Sequence, residues 1–169
     1  MKYKLQFCMR NLFAPWRKTY IQNAHKKDRD CFICVAANSS NDEENLIVKR
    51  GNFAIIILNR YPYNSGHIMI CPKRHVKFPY DLNKDEQTEI MYFLGLAVKV
   101  LETVYHPEGF NIGVNIGRAA GAGEEHLHFH IVPRWGGDTN FMSVFGETRV
   151  IPEAIEETYK KLKEAFSKI

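Results

Sequence analysis

Hydrophobic positions along the chain fall into two periods. Five short runs are either continuously apolar or alternate from residue to residue: LIVKR (46–50), FAIIILN (53–59), GHIMICP (66–72), FNIGVNI (110–116) and HLHFHIV (126–132). Bounded by turn residues, they predict strands. Gly51-Asn52 separates the first two and is a turn signal. Two longer stretches have the 3.6-residue period of amphipathic helices. The first covers 82–106, with Asn83 as its cap, Asp85 and Glu86 in its first turn, and Pro107 and Gly109 to end it. The second covers 151–169. The polar segment 37–45 predicts a loop. Strands come in a run and do not alternate with helices, which favours an α+β domain with an antiparallel sheet of about five strands.

No repeat or low-complexity tract divides the chain, so residues 1–169 are expected to form one domain. Residues 1–30, mixed basic and aromatic, form an extension. Residues 31–142 form the core, and 143–169 supply a C-terminal strand and helix. Composition changes this little. The hydrophobic share is 45% and the charged share 25%, ordinary for a globular protein. A formal net charge of +4 with interspersed signs does not point to nucleic acid, though it tolerates a phosphorylated ligand. No apolar run reaches membrane-spanning length and the first residues do not form a signal peptide. The expected setting is therefore cytoplasmic, where the four cysteines stay reduced or bind metal.

The chemistry concentrates in HLHFHIVPRW (126–135). On a strand His126, His128 and His130 share one face, while Leu127, Phe129 and Ile131 pack into the core. Same-face neighbours are roughly 6–7 Å apart and the outer pair roughly 13 Å, so three such imidazoles do not readily share one metal. Three histidines in register imply a row of groups with separate tasks.

DCFICVA places Cys31 and Cys34 in a Cys-x-x-Cys hook, a spacing that lets two thiolates reach one zinc. No strand-then-helix context supports a redox reading. Two more ligands are needed, and His25, His67, His75, His106 and the triplet are candidates. His75, just past the third strand, and His126, at the head of the fifth, complete one Cys2His2 set; spacing fixes the cysteines and leaves the histidines open. Cys8 and Cys71 have no partner at motif spacing.

HLHFHIV also resembles the His-φ-His-φ-His-φ-φ signature of the histidine-triad (HIT) superfamily of nucleotide hydrolases and transferases. LNRYPYNSGHIMICPKRH (58–75) is similar to its ribose-and-base segment, NIGRAAGAGEEH (115–126) to its phosphate loop, and CFIC to its zinc hook. LFAPWRKTYI and PRWGGDTNFM resemble the bacterial branch of diadenosine tetraphosphate phosphorylases and hydrolases.

The resemblance implies a HIT-like fold and a residue-by-residue assignment. His128 would be the nucleophile at the α-phosphorus. His130 would hydrogen-bond the phosphate or bridging oxygen, and His67 would stand at the back of the pocket, unless it is simply a satisfied core histidine. Asn59 would meet the ribose hydroxyls. Asn115, Gly121, Ala122 and Gly123 would face the phosphate. Cys31, Cys34, His75 and His126 would hold a structural zinc. A nucleotide substrate and a homodimer are implied as partners. Some branches carry a glutamine and a serine where Ala122 and Gly123 stand, which concerns the leaving group and leaves the nucleophile untouched. A nucleoside phosphoramidase, a nucleotide-binding module with little turnover and a metallohydrolase using His126 and His128 as ligands are the competing expectations.

Overall fold

The 82–106 segment forms the long helix its period predicts. A computed structural model describes residues 30–138 and 153–169; the N-terminal extension and the expected C-terminal strand lie outside the described residues. The described elements are α1 (Phe32–Asn38), β1 (Ile47–Arg50), β2 (Ala54–Leu58), β3 (Ile68–Pro72), α2 (Lys84–Tyr105), β4 (Gly109–Val114), β5 (Phe129–Arg134) and α3 (Ile155–Ser167). Asn83 and Glu86 close a reciprocal capping box at the start of α2. At its other end His106 adopts a left-handed conformation (φ 47°), which turns the chain out of the helix before Pro107.

The strands pair antiparallel in the order β1-β2-β3-β5-β4. A Cβ on Gly66 would touch Leu101 and Tyr105 of α2, so α2 covers the face that carries Ile68, Ile70 and Ile131. Ile90, Phe93, Ala97, Val100 and Leu101 are the buried stripe that α2 contributes to the core. Tyr159, Leu162 and Phe166 of α3 join the same core. Alternation then puts His67, Met69, His130 and Val132 on the opposite face, away from α2. No helix among the described residues is long and apolar enough to cross a membrane.

Polar clamps fix the segments that carry functional side chains. Arg50 on β1 donates to the carbonyls of Ala36, Ala37 and Ser39, satisfying the C-terminal end of α1. Arg74 forms a two-pronged pair with Glu86 and also donates to the Asp81 carbonyl, tying the segment before His75 to the N-terminus of α2. That guanidinium holds the Glu86 carboxyl below its usual range. Glu89 accepts from the backbone N–H groups of Asn52, Phe53 and Ala54. A Cβ at Gly51 would lie 2.6 Å from that carboxylate, so a side chain there would push Glu89 away from these three N–H groups.

One expectation is corrected, and one element was not foreseen. β5 begins at Phe129, so His126 and His128 precede the hydrogen-bonded ladder. Pro72 stands where β3 would continue the pairing and has no N–H. The His126 carbonyl is taken by the His128 ring instead. The segment after Cys31, which the pattern did not identify as helical, forms α1.

Candidate active site

α1 brings the two cysteines together. Cys31 caps the helix and Cys34 follows one turn later, on the same side. Cys31 Sγ is 3.3 Å from His126 Nδ1; Cys34 Sγ is 3.3 Å from His75 Nδ1 and 3.5 Å from His126 Nδ1. The four ligand atoms lie within 4.8 Å of one another. A tetrahedral ion with metal–sulfur bonds of about 2.3 Å and metal–nitrogen bonds of about 2.0–2.1 Å has ligand-to-ligand edges of about 3.5 Å. The set therefore fits a four-coordinate metal. His126 is almost fully buried, and its Nε2–H donates to the Pro72 carbonyl at 2.8 Å, which turns Nδ1 toward the thiols. Burial pushes the Cys31 thiol up to about 12, so a metal entering the site displaces a proton. Cys71 is fully buried and its thiol is likewise pushed up by burial. His106 is spent on the end of α2, and His25 lies outside the described residues.

Beside this cluster the other histidines form a second unit. His128 Nδ1 is 2.6 Å from the His126 carbonyl oxygen. A carbonyl only accepts, so Nδ1 carries the proton and Nε2 keeps its lone pair. Burial holds the ring below its ordinary pKa, which keeps it neutral. His130 lies next to it, ring centroids 4.8 Å apart and nearly perpendicular.

His67 sets the state of His130. Its Nδ1 accepts the Tyr63 N–H at 3.0 Å, so its proton sits on Nε2. That Nε2–H points to His130 Nδ1, 3.0 Å away. His130 must then carry its own proton on Nε2. This nitrogen is buried and has no hydrogen-bond partner among the described residues. The site thus holds a lone pair on His128 and an N–H on His130 side by side.

Burial depresses His130 to about 4, against about 6.5 for an ordinary imidazole. Its ring faces His67, His128 and Tyr63. The unfolded chain binds more protons between these values, so this contribution to stability is present near neutrality and is lost as the pH falls from about 6.5 toward 4. The stability difference between wild type and His130→Gln is expected to fall by about 2 kcal/mol from pH 7 to pH 5. Urea unfolding at both pH values measures it, and an unchanged difference would contradict the buried neutral ring.

The phosphate-loop residues have mixed roles. Gly117 and Gly121 adopt positive φ (80° and 88°), which glycine tolerates. The N–H groups of Gly121 and Ala122 close the loop onto the carbonyls of Arg118 and Gly117. They stiffen the loop and are not open donors, whereas the Gly123 N–H makes no such bond among the described residues. Asn115 borders the same furrow as His130. Asn59 Oδ1 accepts the Tyr61 N–H, and its Nδ2 lies 3.4 Å from His67 Nδ1. Sequence reasoning missed the His67–His130 contact; no spacing signal carries it, because it depends on the β3–β5 register.

The family model for the HIT domain matches residues 39–137, more than half of the chain. The chain belongs to the HIT family. Within it, an AP-4-A phosphorylase of Mycobacterium tuberculosis (strain ATCC 25618 / H37Rv) is 40% identical over 161 residues, covering 91% of this chain and 83% of that protein. Two solved HIT structures share the fold. A Zn-bound histidine triad family protein from Mycobacterium smegmatis has a TM-score of 0.65 at 23% identity, covering 82% of this chain and 94% of that one. A hypothetical histidine triad nucleotide-binding protein from Sulfolobus tokodaii strain7 has a TM-score of 0.66 at 27% identity, covering 82% and 93%.

Proposed function

We propose that this HIT protein is a nucleotidyl-transfer enzyme acting on diadenosine polyphosphates, with His128 Nε2 as the nucleophile at the α-phosphorus. The observation that carries the reading is a lone pair on His128 Nε2 beside a buried His130 N–H that has no partner among the described residues. The His128–phosphorus bond forms as the bond to the bridging oxygen breaks, and water or phosphate then takes the nucleotide from the imidazole. The M. tuberculosis relative, an AP-4-A phosphorylase, supports phosphate as that acceptor.

The tautomers also bear on the leaving group. His130 Nδ1 is occupied by the His67 N–H, so His130 can donate a hydrogen bond without giving up its proton. A nucleoside polyphosphate departs as an anion and needs no proton; an amine does. This favours an anhydride over a phosphoramidate. Cys31, Cys34, His75 and His126 would hold zinc with no ligand position left over, and His128 is not part of that cluster. Zinc would supply rigidity at the head of β5 and no Lewis acid. This supports a scaffold role over the metallohydrolase reading. A homodimer through the β4 edge, where Ile112 is exposed, and the outer side of α2, where Met91 and Tyr92 are exposed, completes the proposal.

Product analysis with diadenosine tetraphosphate, with and without inorganic phosphate, tests the reaction. Phosphate-dependent release of ADP and ATP identifies a phosphorylase, release of AMP and ATP without phosphate a hydrolase, and release of ADP without phosphate, or no cleavage under either condition, contradicts attack at the α-phosphorus. Asn59→Ala is expected to weaken binding of a ribonucleotide by about 1–3 kcal/mol, the loss of hydrogen bonds to the sugar. A 2′,3′-dideoxy nucleotide should lack most of that effect. Titration calorimetry of both ligands decides it, and equal weakening of the two would remove Asn59 from the ribose.

A further inference from the structure

The face that carries His130 continues beyond it. Val132 and Arg134 follow at two-residue steps, and β4 sets Gly113 opposite His130 and Asn111 opposite Val132. Together with Tyr63 and Asn64 these residues line a furrow of about 290 Å³. His130 borders this furrow and His128 does not.

Arg134 is held as a fixed cation on the furrow wall. Its Nε and Nη2 donate to Asp138 at 2.6 and 2.8 Å, and Nη1 donates to Asn111 Oδ1 at 2.5 Å. Asp138 is itself nearly buried and also accepts from Asn64 Nδ2 and the Trp135 N–H. Three of the five guanidinium N–H groups are engaged, which leaves two among the described residues. The bond to Asn111 draws the guanidinium back to the level of Val132. That is about one same-face step, roughly 6–7 Å, from His130. Gly113 keeps the floor open, since a Cβ there meets nothing within 4 Å.

We infer that this furrow is the leaving-group subsite, in which Arg134 receives a phosphate of the departing nucleoside polyphosphate beyond the oxygen bonded by His130. The assignment rests on the nucleotidyl-transfer reading. In a displacement at phosphorus the leaving oxygen departs opposite the attacking atom. With His128 attacking, the His130 N–H beside it, unpartnered among the described residues, is the donor that meets the phosphate, and the chain of phosphates extends from there along β5 toward Arg134. The His128–phosphorus bond forms, the phosphorus–oxygen bond breaks with its electron pair, and the leaving phosphate carries the negative charge that the guanidinium meets.

The test compares diadenosine tetraphosphate with adenosine 5′-(p-nitrophenyl phosphate), whose leaving group has no phosphate. Arg134→Gln is expected to lower the ratio of kcat/KM for the tetraphosphate over the nitrophenyl ester about 10- to 100-fold, the loss of a charge-assisted contact. Gly113→Val should lower the same ratio by filling the floor. It suits a strand, so it reports even if removing Arg134 disturbs Asp138 and the fold. If neither variant changes the ratio, or if Arg134→Gln folds and leaves it unchanged, the subsite is wrong while nucleotidyl transfer stands. If the wild type cleaves neither compound, the nucleotidyl-transfer reading falls and the subsite with it.

Discussion

Replacing Cys34 with serine is expected to lower the stability of the protein by roughly 3–5 kcal/mol, and its Tm by roughly 6–20 °C. Structural zinc contributes about 10–16 kcal/mol in small fingers that have little else to fold around. Here Ile33 and Ala36 of α1 pack into the main hydrophobic core and Arg50 ties down its end, so the fold keeps other support. The expected cost is therefore a fraction of that figure. It falls on the head of β5, because His126 would couple a bound metal to the backbone carbonyl that orients His128. Metal analysis should find one zinc per chain in the wild type and little in the variant. Under half an equivalent in carefully purified wild-type protein would contradict the site, as would a variant with unchanged Tm.

Much of this was legible because local rules and tertiary packing agree. Asn83 caps α2 where its side chain predicts, and each of the five apolar runs contributes one strand, with ends shifted by up to three residues. The hook of Cys31 and Cys34 is recognisable from its spacing, whereas His75 and His126 follow only from the resemblance to the HIT zinc hook, and the structure brings all four together. Other features depend on register or on distant partners. Glu89 looks like an ordinary helix acid, yet it binds three backbone N–H groups of the β1–β2 turn. His67 meets His130 only because β3 pairs with β5. β5 starts three residues later than the alternation implies, and ends two later, because alternation continues through His126 and His128 while the hydrogen-bond ladder stops at Phe129. Alternation reports which side a residue faces and says nothing about whether its carbonyl is paired across the sheet. The amides of Gly121 and Ala122 were expected to face a phosphate, but a glycine pattern does not disclose that a loop uses its own N–H groups to stay closed.

His128→Ala is expected to reduce turnover of diadenosine tetraphosphate by roughly 10⁴- to 10⁶-fold, the range seen when a nucleophile acting within a unit is removed. Zinc content should be unchanged, because His128 lies outside the four-ligand cluster. Nucleotide affinity should change little, because the contacts proposed for Asn59, Asn115 and His130 remain. His130→Ala should slow the reaction and leave the nucleophile in place, since His128 keeps its bond to the His126 carbonyl.

That slowed variant gives the most direct measurement. His130→Ala is mixed with diadenosine tetraphosphate, quenched without acid, digested and analysed by mass spectrometry. A nucleotidyl adduct is expected on the peptide that contains His128, attached at His128. Its absence during turnover, or its attachment to another residue, would contradict the covalent mechanism.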